Sequence, residues 1–175
     1  VFVHEFSGDL RSWEPQMRHF SRRYRCIAFN ARGYPPSDVP ASPSKYSHVT
    51  GTDDIANVMR RLSIGKAHVI GCSMGAYATL QFGLRYPRRA LSLTAIGAGA
   101  GSDPAKRAQF LRNRTAIERL FREQGMKAVA RVLQRAPHRV QLSIKDPRGF
   151  REFWEHFVEG SALGHALTLR GVQSR

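Results

Sequence analysis

The sequence predicts an α/β fold with a parallel sheet, and three observations predict it. Short apolar runs alternate with longer segments whose apolar residues recur at helical spacing. One run passes straight into a helical segment through Gly71-Cys72-Ser73-Met74-Gly75. Beyond Gly101 the apolar runs stop and helical spacing alone continues. At 175 residues the chain has room for one ordinary core. It divides into a sheet-and-helix part over residues 1–102 and a helical part over residues 103–175.

Val1-Phe2-Val3 reads as the first strand. Asp9 to Phe20 follows as a helix, with Leu10, Trp13, Met17 and Phe20 on one face. Arg25 to Phe29 is the second strand. Pro35, Pro36, Pro40 and Pro43 then keep residues 32–44 out of regular structure. A helix over Val49–Leu62 carries Ile55, Val58, Met59 and Leu62 on its apolar face. Ala67 to Ile70 is the third strand, Met74 to Tyr86 the next helix, and Leu91 to Ile96 the fourth strand. Asp103-Pro104 and Asp146-Pro147 each place an N-cap before a proline at the first helical position. Three apolar clusters mark the helices of this part: Phe110, Ile117, Leu120 and Phe121; Val129, Val132 and Leu133; and Phe150, Phe153, Trp154, Phe157 and Val158.

A hydrophobic fraction of 42% with ten Phe describes a chain that folds rather than a disordered one. No apolar run approaches the roughly 20 residues that cross a bilayer, so no membrane partner is expected. The formal net charge is +15, split as +6 over residues 1–103 and +9 over residues 104–175. The basic residues are mostly Arg scattered along helical patterns, and the aromatics sit at helix-core spacing. Neither arrangement makes a base-stacking platform, so the charge reads as a solvated surface and no nucleic-acid partner is expected. Cys26 and Cys72 are too few for a disulfide framework and read as free thiols in a reducing compartment, which points to the cytoplasm. The histidines show no metal-site spacing. Gly97-Ala98-Gly99-Ala100-Gly101 lacks the third glycine of a dinucleotide loop, Ser102 standing in its place, and no acidic ribose partner follows. It reads as a small-residue approach to the active-site floor, and no cofactor is expected. No feature sets an oligomeric state.

The chemistry lies in Gly71-Cys72-Ser73-Met74-Gly75, a G-x-S-x-G between strand and helix. A sharp turn there holds the serine backbone in a strained conformation and brings the chain two residues either side close to it. Only small residues avoid a clash, which accounts for Gly71 and Gly75. The Ser73 hydroxyl then projects above the sheet as a nucleophile, at the positive end of the next helix. The free N–H of Met74 is placed to receive an oxyanion.

With this motif and His4-Glu5-Phe6-Ser7-Gly8 after the first strand, the chain resembles the α/β-hydrolase superfamily, in the branch of esterases and lactonases with a helical cap. The resemblance implies a partial doubly wound parallel sheet carrying a cap segment. It also implies an oxyanion hole made by the N–H groups of Phe6 and Met74. That loop reads His-Gly-x in the family, and Glu5 replaces the glycine here. His4 is expected to order the loop through its backbone. Asn30-Ala31-Arg32-Gly33-Tyr34-Pro35-Pro36-Ser37 resembles the family's Asp-x-Arg-Gly-x-Gly-x-Ser, with Asn30 for the Asp and Pro35 for the second Gly; Arg32 is structural in that pattern.

The resemblance covers residues 1–102 with specific motifs, and residues 103–175 only as a helical cap. It implies a chain truncated at both ends, with the triad acid and histidine beyond Arg175 and little activity without them. In the fold's order of Ser, acid, His, the histidines after Ser73 are His138, His156 and His165, which read as surface or cap-packing residues. Asp103 reads as an N-cap rather than the acid.

The implied function is hydrolysis of a carboxylic ester or lactone on a small molecule, through a Ser73 acyl-enzyme. C–C bond hydrolysis, amide hydrolysis and cofactor-free haloperoxidase activity are alternatives on the same site. A non-catalytic ligand-binding relative is an alternative of another class. Epoxide hydrolysis and dehalogenation need Asp where this chain has Ser73. Phe150, Phe153, Trp154 and Phe157 read as cap core before substrate wall.

Overall fold

The computed structural model describes residues 1–99 and 101–173, without the side chain of His138. Strands β1 (Phe2–Val3), β2 (Ala28–Phe29), β3 (Ala67–Cys72) and β4 (Ala90–Ile96) form one sheet in the order β2-β1-β3-β4, with every pairing parallel. Helices α1 (Glu14–Phe20), α2 (His48–Arg61) and α3 (Met74–Arg85) make the crossovers. After β4 come α4 (Pro104–Leu133), α5 (Pro137–Lys145), α6 (Pro147–Val158) and α7 (Ala162–Gly171).

Neighbouring residues on a strand face opposite ways, and β1 shows that both faces are covered. The Phe2 ring meets Trp13 at 5.2 Å and Phe20 at 6.3 Å, on the α1 side. Val3 packs with Ile55, Met59, Val69 and Phe82, on the side of α2 and α3. The sheet is therefore doubly wound. β1 is also where the strand order reverses, since the chain passes outward to β2 and then returns across β1 to β3.

The elements expected from periodicity recur with physical differences. The second strand shortens from residues 25–29 to Ala28–Phe29, because its partner β1 has only two residues to pair with. The helix expected over residues 9–20 divides into a 3-10 turn over Leu10–Trp13, capped by Asp9, and α1 with Pro15 in its first turn. The third strand runs on to Cys72 because β4 continues to pair with it as far as Ile96. Both Asp-Pro devices are N-caps: Asp103 accepts from the Ala105 N–H at 3.0 Å and Asp146 from the Gly149 N–H at 2.9 Å.

Phe121, Met126, Val129, Trp154, Phe157, Ala166 and Leu169 form a second core among α4, α6 and α7. Within α4 the backbone leaves the helix at Gly125 (φ 73°, ψ −170°), a conformation that glycine adopts without strain. Helix α7 also leans on the first core's loops. A Cβ at Gly164 would collide with the Gly33 carbonyl, and one at Gly171 with the Tyr46 carbonyl. Among the described residues no helix is long and apolar enough to cross a membrane.

Part of the positive charge serves the fold. Arg89 donates to the carbonyls of Ala56 (3.1 Å), within the second half of α2, and Ile64 (3.0 Å), beyond its C-terminal end.

β4 is apolar in sequence yet open: Leu91, Leu93 and Ile96 are exposed, and Leu84 on α3 is 78% exposed. An apolar strand with a free edge templates association. The 175-residue chain alone is expected to self-associate at micromolar concentration. Leu84→Glu with Leu91→Lys should raise its monomer fraction in light scattering after size exclusion, with the circular dichroism unchanged. Unaltered association would place the contact elsewhere.

Candidate active site

The site is built where the C-terminal ends of β1 and β3 lie side by side, Val3 opposite Gly71. Ser73 joins β3 to α3 at φ 51° and ψ −109°, a region that non-glycine residues rarely occupy. Its N–H donates to the Ile96 carbonyl at 2.8 Å, and its own carbonyl accepts from Tyr77 at 3.1 Å to open the helix. A Cβ at Gly71 would collide with the backbone of Gly75, and one at Gly75 with the Val3 carbonyl. Both glycines are therefore required by close approach, and Gly75 presses the start of α3 against the end of β1. Met74 is the first residue of α3 and buried, and its N–H has no acceptor within the helix.

The loop after β1 is held from several sides. His4 is buried and neutral: its Nδ1–H donates to the Glu5 carbonyl at 2.7 Å, and its Nε2 accepts from the Ala31 N–H at 2.9 Å. Burial lowers its pKa. His4 thus ties the loop to the backbone at two points, as expected. Tyr34 donates its hydroxyl to the Phe6 carbonyl at 2.9 Å, which orients the peptide after Phe6. The Phe6 ring packs against Phe121 and His165 in the cap core. Among the described residues no acceptor is bonded to the Phe6 N–H.

The turn after β2 braces this loop. The Asn30 side chain accepts from the Leu10 N–H at 2.7 Å and donates to the Pro35 carbonyl at 2.5 Å. Arg32 forms a two-pronged pair with Asp54 at 2.9 and 3.0 Å, the structural role expected of it. Gly97, Gly99 and Gly101 all have positive φ, so the loop after β4 uses its glycines for backbone turns, and a Cβ at Gly97 would meet nothing. Ala100 lies outside the described residues.

A cavity of about 1120 Å³ opens between the loop after β1 and helices α5 and α6. Glu5, Tyr34, Cys72, Ile96, Arg139, Phe153 and His165 are among the residues of its wall. Ser73, Phe6 and Met74 are not part of that wall; Ser73 is partly buried beside it, between its neighbour Cys72 and its backbone partner Ile96. Phe153 and Phe157 belong both to the cap core and to the wall. Cys72 is a free thiol; burial and then the Glu5 carboxylate push its pKa up, with Arg139 opposing them.

Two features of the site escape sequence reasoning. Glu5 forms a two-pronged ion pair with Arg139 of α5, at 2.8 and 2.9 Å, with side chains only 20% and 13% exposed. The departure of Glu5 from the family's glycine was the one signal for it. His165, expected as a packing residue, is one, yet it sits against Phe6, Tyr34, Phe121 and Phe157 at the seam between loop and cap. Its Nδ1–H donates to the Ser161 carbonyl at 2.9 Å. Among the described residues no histidine is hydrogen-bonded to Ser73; the His138 side chain lies outside them.

Burial lowers the His165 pKa from its ordinary 6.5 to about 4. Between these values the unfolded chain binds a proton that the folded chain does not, so stability falls as pH drops from 6.5 toward 4, by roughly 3 kcal/mol in total. His4 acts in the same direction. Denaturant midpoints across pH 4–7 should show this slope. Replacement His165→Phe should remove about one proton's worth of it; an unchanged slope would mean that His165 titrates normally.

The family model for the alpha/beta hydrolase fold matches residues 1–164. Epoxide hydrolase 1 of Caenorhabditis elegans is 36% identical over 87 residues, which is 50% of this chain and 22% of that protein. The 3-oxoadipate enol-lactonase 2 of Acinetobacter baylyi is 25% identical over 166 residues, covering 95% of this chain and 59% of that one. In structure, the enol-lactonase from Burkholderia xenovorans LB400 superposes with a TM-score of 0.83 at 22% identity, over 99% of this chain and 64% of its own. The chain thus spans less than two thirds of the length of these proteins.

Proposed function

Because the chain belongs to the α/β-hydrolase fold family, we propose that it carries the nucleophile and oxyanion hole of a serine hydrolase that cleaves a carboxylic ester or lactone of a small molecule. The observation that carries the reading is Ser73 held at φ 51° between β3 and α3, with a glycine two residues to either side that no larger residue could replace. Strain of this kind costs on the order of 1–3 kcal/mol and persists where function needs it.

In the reaction, the Ser73 hydroxyl attacks the substrate carbonyl while a base takes its proton, and the carbonyl oxygen becomes an oxyanion. The N–H groups of Phe6 and Met74 hold that charge. Collapse of the intermediate breaks the bond to the leaving oxygen, which is protonated, and water then hydrolyses the acyl-serine. His4 is committed on both nitrogens, and no other described histidine is bonded to Ser73. With both ring nitrogens engaged on backbone, His4 is not the base.

The enol-lactonase names among the relatives support the ester or lactone class. Epoxide opening, named for another relative, needs a carboxylate nucleophile where this chain has serine. Residues 1–102 then form the catalytic core and residues 103–175 the cap that closes over it.

In the whole gene product, a fluorophosphonate probe is expected to label Ser73, and labelling should vanish in Ser73→Ala. Hydrolysis across a panel of p-nitrophenyl esters and lactones should fall by roughly a thousand-fold or more in the same variant. A protein that binds the esters without labelling or turnover would be a ligand-binding relative, and the catalytic reading would fail.

A further inference from the structure

We infer that Arg139 is a positioning residue: by clasping Glu5 it sets the peptide that presents the Phe6 N–H, and so couples the seating of the cap to assembly of the oxyanion hole. The inference rests on the role proposed above for Phe6.

The geometry leads from the cap to that N–H in short steps. The Arg139 guanidinium lies over the rings of Phe153 (4.9 Å) and Trp154 (5.7 Å) on α6, which fixes its plane from the cap side. Its other side meets both oxygens of Glu5, with Nη1 to Oε1 at 2.9 Å and Nη2 to Oε2 at 2.8 Å. The fork of a guanidinium on a carboxylate defines direction as well as distance. The peptide between Glu5 and Phe6 supplies the Phe6 N–H.

The other polar restraints on that peptide and the next come from the loop's own side of the site, and the clasp adds the restraint that comes from α5. His4 holds the Glu5 carbonyl and Tyr34 holds the Phe6 carbonyl. Both carbonyls belong to residues of the loop itself, and neither bond reaches α5 or α6. Only the Glu5 side chain ties this stretch to α5, and both partners stand in the cavity wall with Cys72, the residue before Ser73. A cap that lifts at α5 and α6 breaks the clasp and removes this restraint from the loop; a cap seated over substrate restores it. Such a device makes turnover follow closure.

The test uses the whole gene product, with Arg139→Met, Arg139→Lys, Glu5→Gly and the pair Glu5→Gly/Arg139→Met. Arg139→Met should lower kcat on a p-nitrophenyl ester by about 10- to 100-fold with KM within about threefold, since a displaced donor is lost mainly in the transition state. Arg139→Lys, which keeps the charge but not the fork, should recover part of the loss. In the Glu5→Gly background, Arg139→Met should cost less than about twofold more, because its partner is already gone.

Equal losses in both backgrounds would show Arg139 acting on the cap alone and would overturn the inference. So would a rise in KM with kcat kept, which would make Arg139 a substrate ligand. Hydrogen exchange of residues 4–9 keeps the test independent of catalysis. Arg139→Met should accelerate it by about tenfold when Glu5 is present and leave it unchanged when residue 5 is glycine. If Ser73 proves unreactive but exchange follows this pattern, the hydrolase reading fails and the clasp stands. Unchanged exchange in Arg139→Met removes the clasp, whatever Ser73 does.

Discussion

The structure depends on the close approach of α3 to β1 at Gly75. A Cβ there would run into the Val3 carbonyl, and one at Gly71 into Gly75 itself. With both absent, the chain turns from β3 into α3 within a single residue, Ser73. The same approach places the helix start beside the end of β1 and therefore beside the loop that begins at His4. Ser73 and the loop after β1 are thus placed side by side by a packing contact between backbones, a stiffer reference than a side chain provides.

Around that contact the loop is tied by polar groups that are nearly all paired. His4 uses both ring nitrogens on backbone, Asn30 joins Leu10 to Pro35, and Tyr34 ends on Phe6. Buried groups so committed are poor candidates for proton transfer, because moving a proton would break a bond that the loop needs. His165 is kept neutral by its aromatic surroundings and differs in role from His4. It fills the seam beneath the α4, α6 and α7 core, where Phe6 contributes its ring to that core and its backbone to the loop after β1. The second core and that loop therefore share a residue.

What was legible in the sequence was local. The run at residues 67–70 and the helix after it, the Asp-Pro caps at 103 and 146, the backbone role of His4 and the structural role of Arg32 all follow from residues near in sequence or from a motif with fixed spacing. The apolar clusters on either side of residue 125 were legible as two helical patterns, but Gly125 as the point where the backbone leaves the helix was not, since a lone glycine inside a helix is tolerated. The pair of Glu5 with Arg139 joins residues 134 apart, and no periodicity reports a contact at that separation. The run 91–96 was legible as a strand, but its exposure was not: Leu91, Leu93 and Ile96 are residues that a strand ordinarily covers, and here all three are exposed.

The Glu5–Arg139 pair is better understood as a device for position than for stability. Taking both ions largely out of water costs several kcal/mol each in the general case, and the attraction between them typically does little more than offset that. Well-packed apolar residues at both positions would fold about as well. What the pair supplies is direction: a guanidinium held flat by two aromatic rings grips a carboxylate at both oxygens, and the main chain next to that carboxylate inherits the alignment. An exposed ion pair on α4 such as Arg119 with Glu123, 3.8 Å apart on the helix surface, has no such consequence, because neither partner is attached to anything whose position matters. The strength of the positive charge on this chain therefore says little about its function. The one arginine that grips Glu5, next to the peptide bearing the Phe6 N–H, says more.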